Sequence, residues 1–415
     1  MSTREGHRKE QLQTSILIVG AGPVGLCLAH ILEEHGVPWF LLEERNEPDV
    51  HSRAIGVAPP SQAILQRIGV LPQIEQSGVL IHRAYIHGTR GRGIPLDFDQ
   101  LPDERRHIIS IPQVQTEAIL RRSLEAEAQE RMWYGTRART VRADGRGVIV
   151  EAERAGETLH FAGEYLCGCD GIQSTVRGSL IGLDRDYRYP ECFAMGDFED
   201  HSKMGDEAHL FFTKHGSVEA FPLPGGIRRW IVQTERFYAE PSAGTLVALV
   251  QERCGYTLHE RHCSWRSAFR IRRSFASAMA VPPVFLAGDA AHTVPPIGGQ
   301  GMNLGIADAE HLGDLLSHAY RSGGLSPAWV AGYRRRRFHA ATYAGLLSLA
   351  GMRVGTVRGV AAPLRDGVLR ALLGTTLSHR FMREFAMLKA PYTRSPWAGE
   401  LTRLTEPDNR EQPPE

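Results

Sequence analysis

The 415-residue chain lacks the features that mark several large classes of protein. Its 48 basic and 47 acidic residues leave a net charge of +1, so no strong field favours nucleic acid or an acidic membrane surface. Apolar runs stay short of the ~18 residues that a membrane-spanning helix needs. Residues 1–14 are polar and carry both charge signs. We therefore expect neither a transmembrane segment nor a signal peptide.

Cysteine is scarce and scattered along the chain. None of the six cysteines forms a CxxC pair or a Cys/His spacing typical of zinc sites, so the sequence predicts no metal centre. Cys167 and Cys169 are close together, but alternation along a strand makes them small core residues rather than a redox pair. We expect a reduced, cytoplasmic protein.

The most informative stretch, residues 284–305, reads VFLAGDAAHTVPPIGGQGMNLG. Its apolar start predicts a buried strand, and Asp289 follows at the carboxyl edge, where open α/β sheets bind their ligands. The next loop is nearly bare of side chains. A helical pattern from Met302 would point N-terminal amides, with about half a positive charge, at this loop. The stretch favours a flat, partly anionic ligand, although a plain loop between a core strand and a core helix has a similar composition.

A second nucleotide signal stands near the start of the chain. Residues 15–19 predict a buried strand, and residues 20–25, GAGPVG, lead into a helical pattern. In such a motif Gly20 makes a tight turn, Gly22 lets the backbone approach a pyrophosphate, and Gly25 lets the helix pack on the strand. The order of strand, glycine motif and helix predicts a dinucleotide site.

An acidic pair ends the next predicted strand, residues 39–42. Glu43 lies 23 positions after Gly20, close to the ~20 expected for an acid that binds a ribose hydroxyl. We prefer Glu43 to Glu44, whose side chain points the other way on an extended strand. An acid here favours an unphosphorylated ribose, as in FAD or NAD.

Two further elements have both a functional and a structural interpretation. In YLCGCDGIQSTVR, residues 165–177, a predicted strand ends at Asp170-Gly171, although Asp-Gly is also a common turn dipeptide. Arg53 in the sequence SRA is either an ordinary loop cation or a phosphate ligand. The residues alone leave both interpretations open.

The rest of the chain divides into sheet and helix. Residues 79–108 and 181–274 alternate apolar with polar residues between turn signals, which predicts an antiparallel sheet able to wall an apolar pocket. Beyond residue 325 the chain is helical and rich in leucine, alanine and arginine.

Three local predictions concern single elements. Thr116 is a candidate N-cap for an amphipathic helix. Residues 141–152 and 157–163 resemble a hairpin with a glycine-containing turn. The arginines at 334–337 are expected on a solvated helix face.

The chain closely resembles single-component FAD-dependent aromatic monooxygenases of the para-hydroxybenzoate hydroxylase type in three sequences that stand in order: GAGPVG at 20–25, CDGIQSTVR at 169–177 and AGDAAHTVPPIGGQGMNLG at 287–305. The resemblance implies an α/β fold, with a Rossmann-like FAD-binding domain, an antiparallel β-sheet substrate domain and C-terminal helices. The expected domains are FAD-binding, residues 15–78, 109–180 and 275–325; substrate-binding, 79–108 and 181–274; C-terminal helical, 326–400; and flexible tails, 1–14 and 401–415.

The resemblance also implies roles for individual residues. Asp289 would bind the ribityl chain, Gln113 the side of the flavin, and the backbone amides of residues 301–303 the pyrimidine edge of the isoalloxazine. Pro296 would line the space over the flavin ring and is the one catalytic position expected. The implied cofactor-binding residues are Gly20, Gly22, Pro23, Val24, Gly25, Glu43, Glu44, Arg53, Gln113, Asp170, Asp289, Gly301, Met302 and Asn303.

Two positions stay ambiguous. Family members usually follow the ribose acid with arginine, whereas this chain has Glu44 there and Arg45 one position later. Either the arginine contact is lost or Glu44 takes the ribose in place of Glu43. His292 lies in the flavin stretch, where a structural hydrogen bond is the favoured role and catalysis is the alternative.

The activity implied is that of an FAD-dependent monooxygenase. NAD(P)H reduces FAD, O2 forms a flavin C4a-hydroperoxide, and an aromatic or electron-rich substrate is hydroxylated, with secondary metabolism as the expected setting. Because the cofactor carries this chemistry, no Ser-His-Asp set or carboxylate pair is required. The expected partners are a small aromatic molecule, O2 and NAD(P)H, without nucleic acid. An alternative is a flavin-binding protein that shelters, or otherwise oxidises, a pathway intermediate without hydroxylation.

Overall fold

The computed structural model describes residues 11–47, 54–88, 93–101, 105–144, 147–296, 298–373, 377–391 and 394–396. Arg53, one of the predicted cofactor ligands, lies outside the described residues. So do most of the two predicted tails.

Helices occur throughout the described chain. Their bounds are α1 Pro23–Glu34, α2 Pro59–Arg67, α3 Leu71–Ser77, α4 Gln113–Ala128, α5 Thr175–Leu180, α6 Ala243–Cys254, α7 Gln300–Ser322, α8 Pro327–Gly355, α9 Ala362–Leu373 and α10 Leu377–Phe385. Proline in the first turn favours the starts of α1, α2, α3 and α8, because its fixed φ suits a position whose N–H has no helical partner. Within the described ranges, every helix is too short or too polar to cross a membrane.

The strands lie in three sheets. Their bounds are β1 Gln11–Val19, β2 Trp39–Leu42, β3 Gly56–Val57, β4 Val79–Ile81, β5 Arg83–His87, β6 Ile94–Asp97, β7 Ile108–Ser110, β8 Met132–Trp133, β9 Thr136–Asp144, β10 Gly147–Arg154, β11 Glu157–Gly168, β12 Leu183–Glu199, β13 Ala208–Thr213, β14 Gly216–Leu223, β15 Ile227–Thr234, β16 Cys263–Ala276, β17 Ala280–Val281, β18 Val284–Leu286 and β19 His292–Thr293.

The first sheet brings the predicted nucleotide elements together. Its order is β17-β18-β11-β1-β2-β8, and the pairs from β18 to β8 are parallel. Val19 pairs with both Gly168 and Leu42, and Gly168 pairs with Leu286, so the carboxyl ends of four strands are in register. The segments that follow these strands therefore meet at one edge, where α/β sheets bind ligands.

Helix α1 is the central support of this edge. It packs between the parallel sheet and α7 and is buried on nearly all sides, because its sequence is almost wholly apolar. A side-chain carbon placed on Gly313 of α7 would lie only 2.6 Å from Ile31 Cγ2, so the two helices are in close contact. Each fully buried leucine here, such as Leu28, stabilises the fold by about 1.5–3 kcal/mol.

The second sheet has the order β19-β16-β12-β15-β14-β13-β5-β6. Its described pairs are antiparallel, as predicted, except that β13 runs parallel to β5. Strand β7 pairs instead with both β3 and β4, in a small separate sheet of the order β3-β7-β4. Alternation in the sequence indicated strands here but could not reveal pairing between segments more than 100 residues apart.

The second sheet has two different faces. On the back face, apolar residues such as Val218 and Trp230 pack against Leu246 and Val250 of α6. The opposite face, called the front face here, carries Glu219 and other side chains that line a large cavity. Both faces of the second sheet are therefore partly apolar, although the residues along each strand alternate between polar and apolar.

The C-terminal helices contact both sheets. In α8 the Tyr333 hydroxyl donates a hydrogen bond to the Leu286 carbonyl oxygen at 2.9 Å, which ties the helix to β18. In α10 the ring of Phe385 stacks on Phe98 with centroids 6.1 Å apart. The segment thus packs on the first sheet and then covers one end of the second.

The local predictions had mixed outcomes. The hairpin is present as β10 and β11, turning at Ala155-Gly156, although the predicted first strand is divided into β9 and β10. The N-cap prediction for Thr116 is wrong, because α4 begins at Gln113 and Thr116 is buried within its first turn. The solvated-face prediction is wrong for Arg337, which is fully buried.

Candidate cofactor and substrate site

The carboxyl edge of the parallel sheet opens into a cavity of about 790 Å³. Its lining runs from the loop after β1, past the ends of β2, β11 and β18, to the start of α7 and then to the front face of the second sheet. This volume is in the range of sites for cofactors and drug-sized molecules. Both sheets therefore face one continuous space.

The glycine loop after β1 has a geometry that larger residues would disrupt. Gly20 has a φ of +105°, and a side-chain carbon there would lie 2.5 Å from the Cys169 carbonyl oxygen. A side-chain carbon on Gly25 would lie 1.9 Å from the Gly20 carbonyl oxygen, so α1 packs directly on the loop. Around Gly22 no described atom lies within 4 Å of such a carbon, and Gly22 and Pro23 line the cavity. The open side at Gly22 leaves room for a pyrophosphate.

Glu43 points toward the glycine loop. Its buried carboxylate accepts a hydrogen bond from the Ala21 backbone N–H at 2.8 Å. Arg45 donates to the same carboxylate from its backbone at 3.0 Å and from Nε at 2.9 Å. Glu44 also lines the cavity, but its side chain is exposed and lies 3.4 Å from Arg137. An arginine therefore contacts Glu43 despite the one-residue displacement in the sequence.

Asp170 presents an unsatisfied oxygen at the end of β11. Its Oδ2 accepts from the Val176 backbone N–H at 3.1 Å, while Oδ1 is buried without a hydrogen-bond partner among the described residues. Burial raises the pKa of the Asp170 carboxyl. A buried acceptor beside a cavity is costly unless a ligand satisfies it, so this oxygen is suited to a hydroxyl or amide donor.

Arg177 joins two of the loops that line the cavity, a role that was not predicted from the sequence. Its buried guanidinium donates to the Ala290 carbonyl oxygen at 2.9 Å and to the Ile172 carbonyl oxygen at 2.7 Å. It thus connects the Asp170 loop with the loop after β18. The sequence contained the arginine within the quoted motif, but backbone carbonyls as partners leave no sequence signal.

Asp289 lines the cavity from a tight turn after β18, Gly288–Ala290. Gly288 has a φ of +61°, and a side-chain carbon there would lie 2.9 Å from Val24 Cγ2. The Gly288 N–H donates to Asp308 at 2.8 Å. Val24, which also lines the cavity, and Asp308 therefore hold the turn that carries Asp289.

His292 belongs to a buried polar network and is absent from the cavity lining. Its Nε2 lies 2.6 Å from Asp308 Oδ2, and Arg337 Nε donates to Asp308 Oδ1 at 2.5 Å. Burial tends to raise the pKa of Asp308, but Arg337 and His292 outweigh it and hold the pKa well below its ordinary value. Arg337 also donates to the Leu304 carbonyl oxygen at 3.1 Å. This geometry favours the structural role for His292.

The start of α7 faces the cavity with free backbone amides. Gly298 and Gly299 have φ of +82° and +64°, a left-handed conformation that turns the chain into the helix. Gly301 and Met302 follow in the first turn and line the cavity. Amides of a first helical turn have no intrahelical partner and favour negative charge.

Asn303 lies just beyond the cavity lining. Its side-chain Oδ1 accepts from the Ala58 backbone N–H at 2.8 Å, and its Nδ2 donates to the carbonyl oxygens of Gly56 and Gly299 at 2.9 and 2.8 Å. The side chain thus fixes α7 against the segment before α2. This residue positions the cavity wall.

Pro296 and Gln113 both line the cavity. The Pro296 carbonyl oxygen accepts from the Gly299 backbone N–H at 2.9 Å, which leaves one lone pair for a second donor. Gln113 begins α4, and its Nε2 donates to Glu117 Oε1 at 2.7 Å. This hydrogen bond fixes the orientation of the Gln113 side-chain amide.

The second sheet and α10 form an apolar wall of the cavity. The wall residues are Met195, Ala208, Phe221, Ile231, Phe269 and Phe385. Glu219 of β14 is buried among them, and burial raises the pKa of its carboxyl to about 7. Neither Glu219 nor Phe385 was singled out from the sequence, because one glutamate in an alternating strand and one aromatic in a late helix are unremarkable by pattern.

The hydrogen-bonding groups along the cavity suit the successive parts of FAD. The bare loop at Gly22 accommodates a pyrophosphate, Glu43 and Asp170 offer acceptors to hydroxyl or amide groups, and the α7 amides suit an anionic ring edge. A mononucleotide would leave the second half of this cavity without a ligand. The fold and the site define an FAD-binding protein with a Rossmann-like domain, whose cofactor cavity continues to an apolar wall.

Comparison with known proteins identifies the family. Residues 13–344 match the family described as FAD binding domain. The chain therefore belongs to this family, whose members related to it are flavin monooxygenases of the para-hydroxybenzoate hydroxylase type.

Named relatives include monooxygenases from Streptomyces species. A rifampicin monooxygenase from Streptomyces venezuelae is 31% identical over 73% of this chain and 63% of its own length. A 12-dehydrotetracycline 5-monooxygenase/anhydrotetracycline 6-monooxygenase from Streptomyces rimosus is 30% identical over 79% of this chain and 67% of its length. The solved structure of an anhydrotetracycline hydroxylase from Streptomyces rimosus is 27% identical, covers 91% of this chain and 76% of that one, and gives a TM-score of 0.75. The chain thus spans about two thirds of the length of these curated relatives.

Proposed function

We propose that this protein is an FAD-dependent monooxygenase that uses NAD(P)H and O2 to hydroxylate an aromatic substrate. The observation that carries the proposal is the single cavity that joins the nucleotide-binding edge of the parallel sheet to an apolar wall. The family membership and the monooxygenase names of the relatives support it. Those names also support a polycyclic secondary metabolite as the substrate class.

The residues that would hold FAD follow the direction of the cavity. The glycine loop would bind the pyrophosphate, Glu43 the adenosine ribose, Asp289 the ribityl chain, and the amides of Gly301 and Met302 the pyrimidine edge of the flavin. Val24 and Gln113 would contact the cofactor from the side. The unpaired Oδ1 of Asp170 would accept a hydrogen bond from the cofactor or from NAD(P)H.

The protein itself would orient the cofactor and substrate, exclude water from the site and stabilise charge on the flavin. When bound, the flavin supplies hydride acceptance and oxygen activation. The amides at the start of α7 would stabilise negative charge on the ring, since a first helical turn carries a partial positive charge. The apolar wall would exclude water from the substrate, and Pro296 would border the reacting face.

The first experiment is a spectrum followed by turnover. Purified protein loaded with FAD should have a flavin spectrum, and a panel of single-ring phenols, naphthols and polyketide aromatics should stimulate NAD(P)H oxidation. A product heavier by one oxygen atom supports the proposal. Asp289→Ala is the control variant, because loss of the carboxylate proposed to bind the ribityl chain should lower FAD occupancy and turnover together. Ligand binding with no oxygenated product would support the sheltering role instead.

A cytoplasmic location is part of the same proposal. All six cysteines are free, and four of them are buried. Burial raises the pKa of the Cys27 thiol to about 12, so this side chain is an unreactive core residue. Free thiols in this number are typical of a reducing compartment.

A further inference from the structure

Glu219 stands alone in an apolar row across the second sheet. Strand pairing places Ile86 opposite Leu210, Leu210 opposite Glu219, and Glu219 opposite Ile231. Met195 continues the row beyond Ile231. Directly opposed side chains in a sheet are within contact distance, so the carboxyl is flanked by hydrocarbon on both sides.

The Glu219 carboxyl has no compensating partner in the described part of the protein. No described group donates a hydrogen bond to it, and its pKa is raised by burial with no charged neighbour contributing. The two cavity arginines that lie on the second sheet are occupied elsewhere: Arg272 pairs with Asp186 at 2.6 Å, and Arg270 stacks over Phe237 at 4.5 Å. A buried carboxyl without a partner is costly and is retained where a ligand satisfies it.

The position within the cavity indicates what that ligand group must be. Glu219 lines the same space as Pro296 and the amides of α7, but it belongs to the opposite, apolar wall. A neutral ring with an O–H group could lie against the wall and donate to the carboxylate. An anionic ring substituent would meet a like charge in a dry site, where repulsion is strong.

We propose that Glu219 is the specificity-determining residue of the substrate chamber: it selects neutral aromatics that present a hydroxyl donor and rejects their carboxylated analogues. This inference rests on the proposed function, since it concerns the substrate of that activity. It adds a substrate class, neutral phenolic rings, and a single residue that recognises them.

The test compares three ligands that share one ring system. 2-Naphthol has the donor, 2-methoxynaphthalene keeps the oxygen without the donor, and 2-naphthoate carries the negative charge. Binding to FAD-loaded protein is measured by equilibrium dialysis at about pH 8, above the Glu219 pKa of about 7. Neither NAD(P)H nor turnover is needed, so the result is independent of whether the protein hydroxylates.

The expected preference for 2-naphthol is large and depends on the side chain of Glu219. A hydrogen bond to a charged group predicts that wild type binds the naphthol roughly tenfold or more tightly than the other two ligands. Glu219→Gln should bring the three affinities to within about threefold, because the amide is uncharged and can also donate. Glu199→Gln is the matched control: it makes the same chemical change at an exposed position outside the cavity lining and should retain the preference.

The other outcomes decide against the inference or against the proposed function. Equal affinities in wild type, no measurable binding of the naphthol, or an unchanged preference in Glu219→Gln would overturn it. A preserved preference together with no hydroxylation of any panel compound would overturn the proposed function and leave the selectivity in place.

Discussion

Two buried carboxyl groups of this protein, those of Asp308 and Glu219, have different surroundings and therefore different pKa values. Asp308 lies beneath the loop after β18 and is bonded by Arg337, His292 and the Gly288 backbone. Glu219 lies on the wall of the cavity between Leu210 and Ile231. Their burial is similar, but the pKa of Asp308 is held well below its ordinary value and that of Glu219 is raised to about 7.

The difference separates a structural charge from one available to a ligand. A compensated charge fixes the conformation of the loops around it, whereas an uncompensated one weakens the fold unless a ligand binds. The comparison therefore predicts that Asp308 partners matter for stability, and that Glu219 matters for recognition at some cost in stability.

The largest effect is expected from Arg337→Met. Removing the guanidinium leaves Asp308 buried without its main counter-charge, which should lower the free energy of unfolding by about 3–5 kcal/mol. Urea denaturation of the FAD-free protein measures this. Arg335→Met, at an exposed position of the same helix, is the control and should change stability by less than about 0.5 kcal/mol. Equal small losses would mean that the network is not structural.

Glu219→Gln should change how stability depends on pH. The folded pKa of Glu219 is about 7 against an ordinary 4.5, so the folded state holds the proton more tightly than the unfolded chain. Wild-type stability should therefore fall by about 3 kcal/mol as pH rises from about 4.5 to about 7, through this group alone. The variant should lack that decline. Denaturation curves for both proteins over this range check the difference, and parallel curves would contradict the raised pKa.

His292→Phe should separate a structural from a catalytic histidine. The ring loses its hydrogen bond to the charged Asp308, which should cost about 1.5–3 kcal/mol of stability. In FAD-loaded protein kcat should change by much less than the roughly hundredfold or greater loss expected when a general acid or base is removed. A hundredfold fall in kcat at unchanged FAD occupancy would instead assign catalysis to His292.

The smallest effect is expected for the glutamates next to the site proposed for the adenosine ribose of FAD. Glu43→Gln should weaken FAD binding about tenfold, because the carboxylate organises the Ala21 N–H and would accept from the ribose. Glu44→Gln, the same change at the exposed neighbour, should leave the affinity within about twofold. Fluorescence titration of apoprotein with FAD measures both, and the reverse order would assign the ribose to Glu44.

The nucleotide end was the more predictable half of the molecule. Gly20, Gly22 and Gly25 act through backbone geometry in one short segment, so spacing alone located them. Asp289 could be placed because a strand end and a helix start flank it closely. The prediction for Asn303 concerned its backbone amide; the contacts of its side chain with neighbouring backbone could not be predicted, because backbone partners leave no sequence signal.

The substrate wall could be predicted only as a sheet. Its row of Ile86, Leu210, Glu219 and Ile231 unites segments separated by more than 100 positions, including a parallel pair that alternation does not indicate. Arg177 likewise bonds a carbonyl oxygen 113 positions away, and Arg337 bonds a carboxylate 29 positions away. Tertiary pairing, rather than local preference, therefore decides which charges are structural and which face a ligand.

The most direct test of the comparison is the protonation of Glu219 itself. Infrared difference spectra between wild type and Glu219→Gln, in FAD-loaded protein, isolate the carbonyl band of the one protonated carboxyl that differs. The predicted result is a band that disappears as pH rises through about 7. A carboxylate that is already ionised at about pH 5, near the range of ordinary glutamates, would contradict the contrast with Asp308.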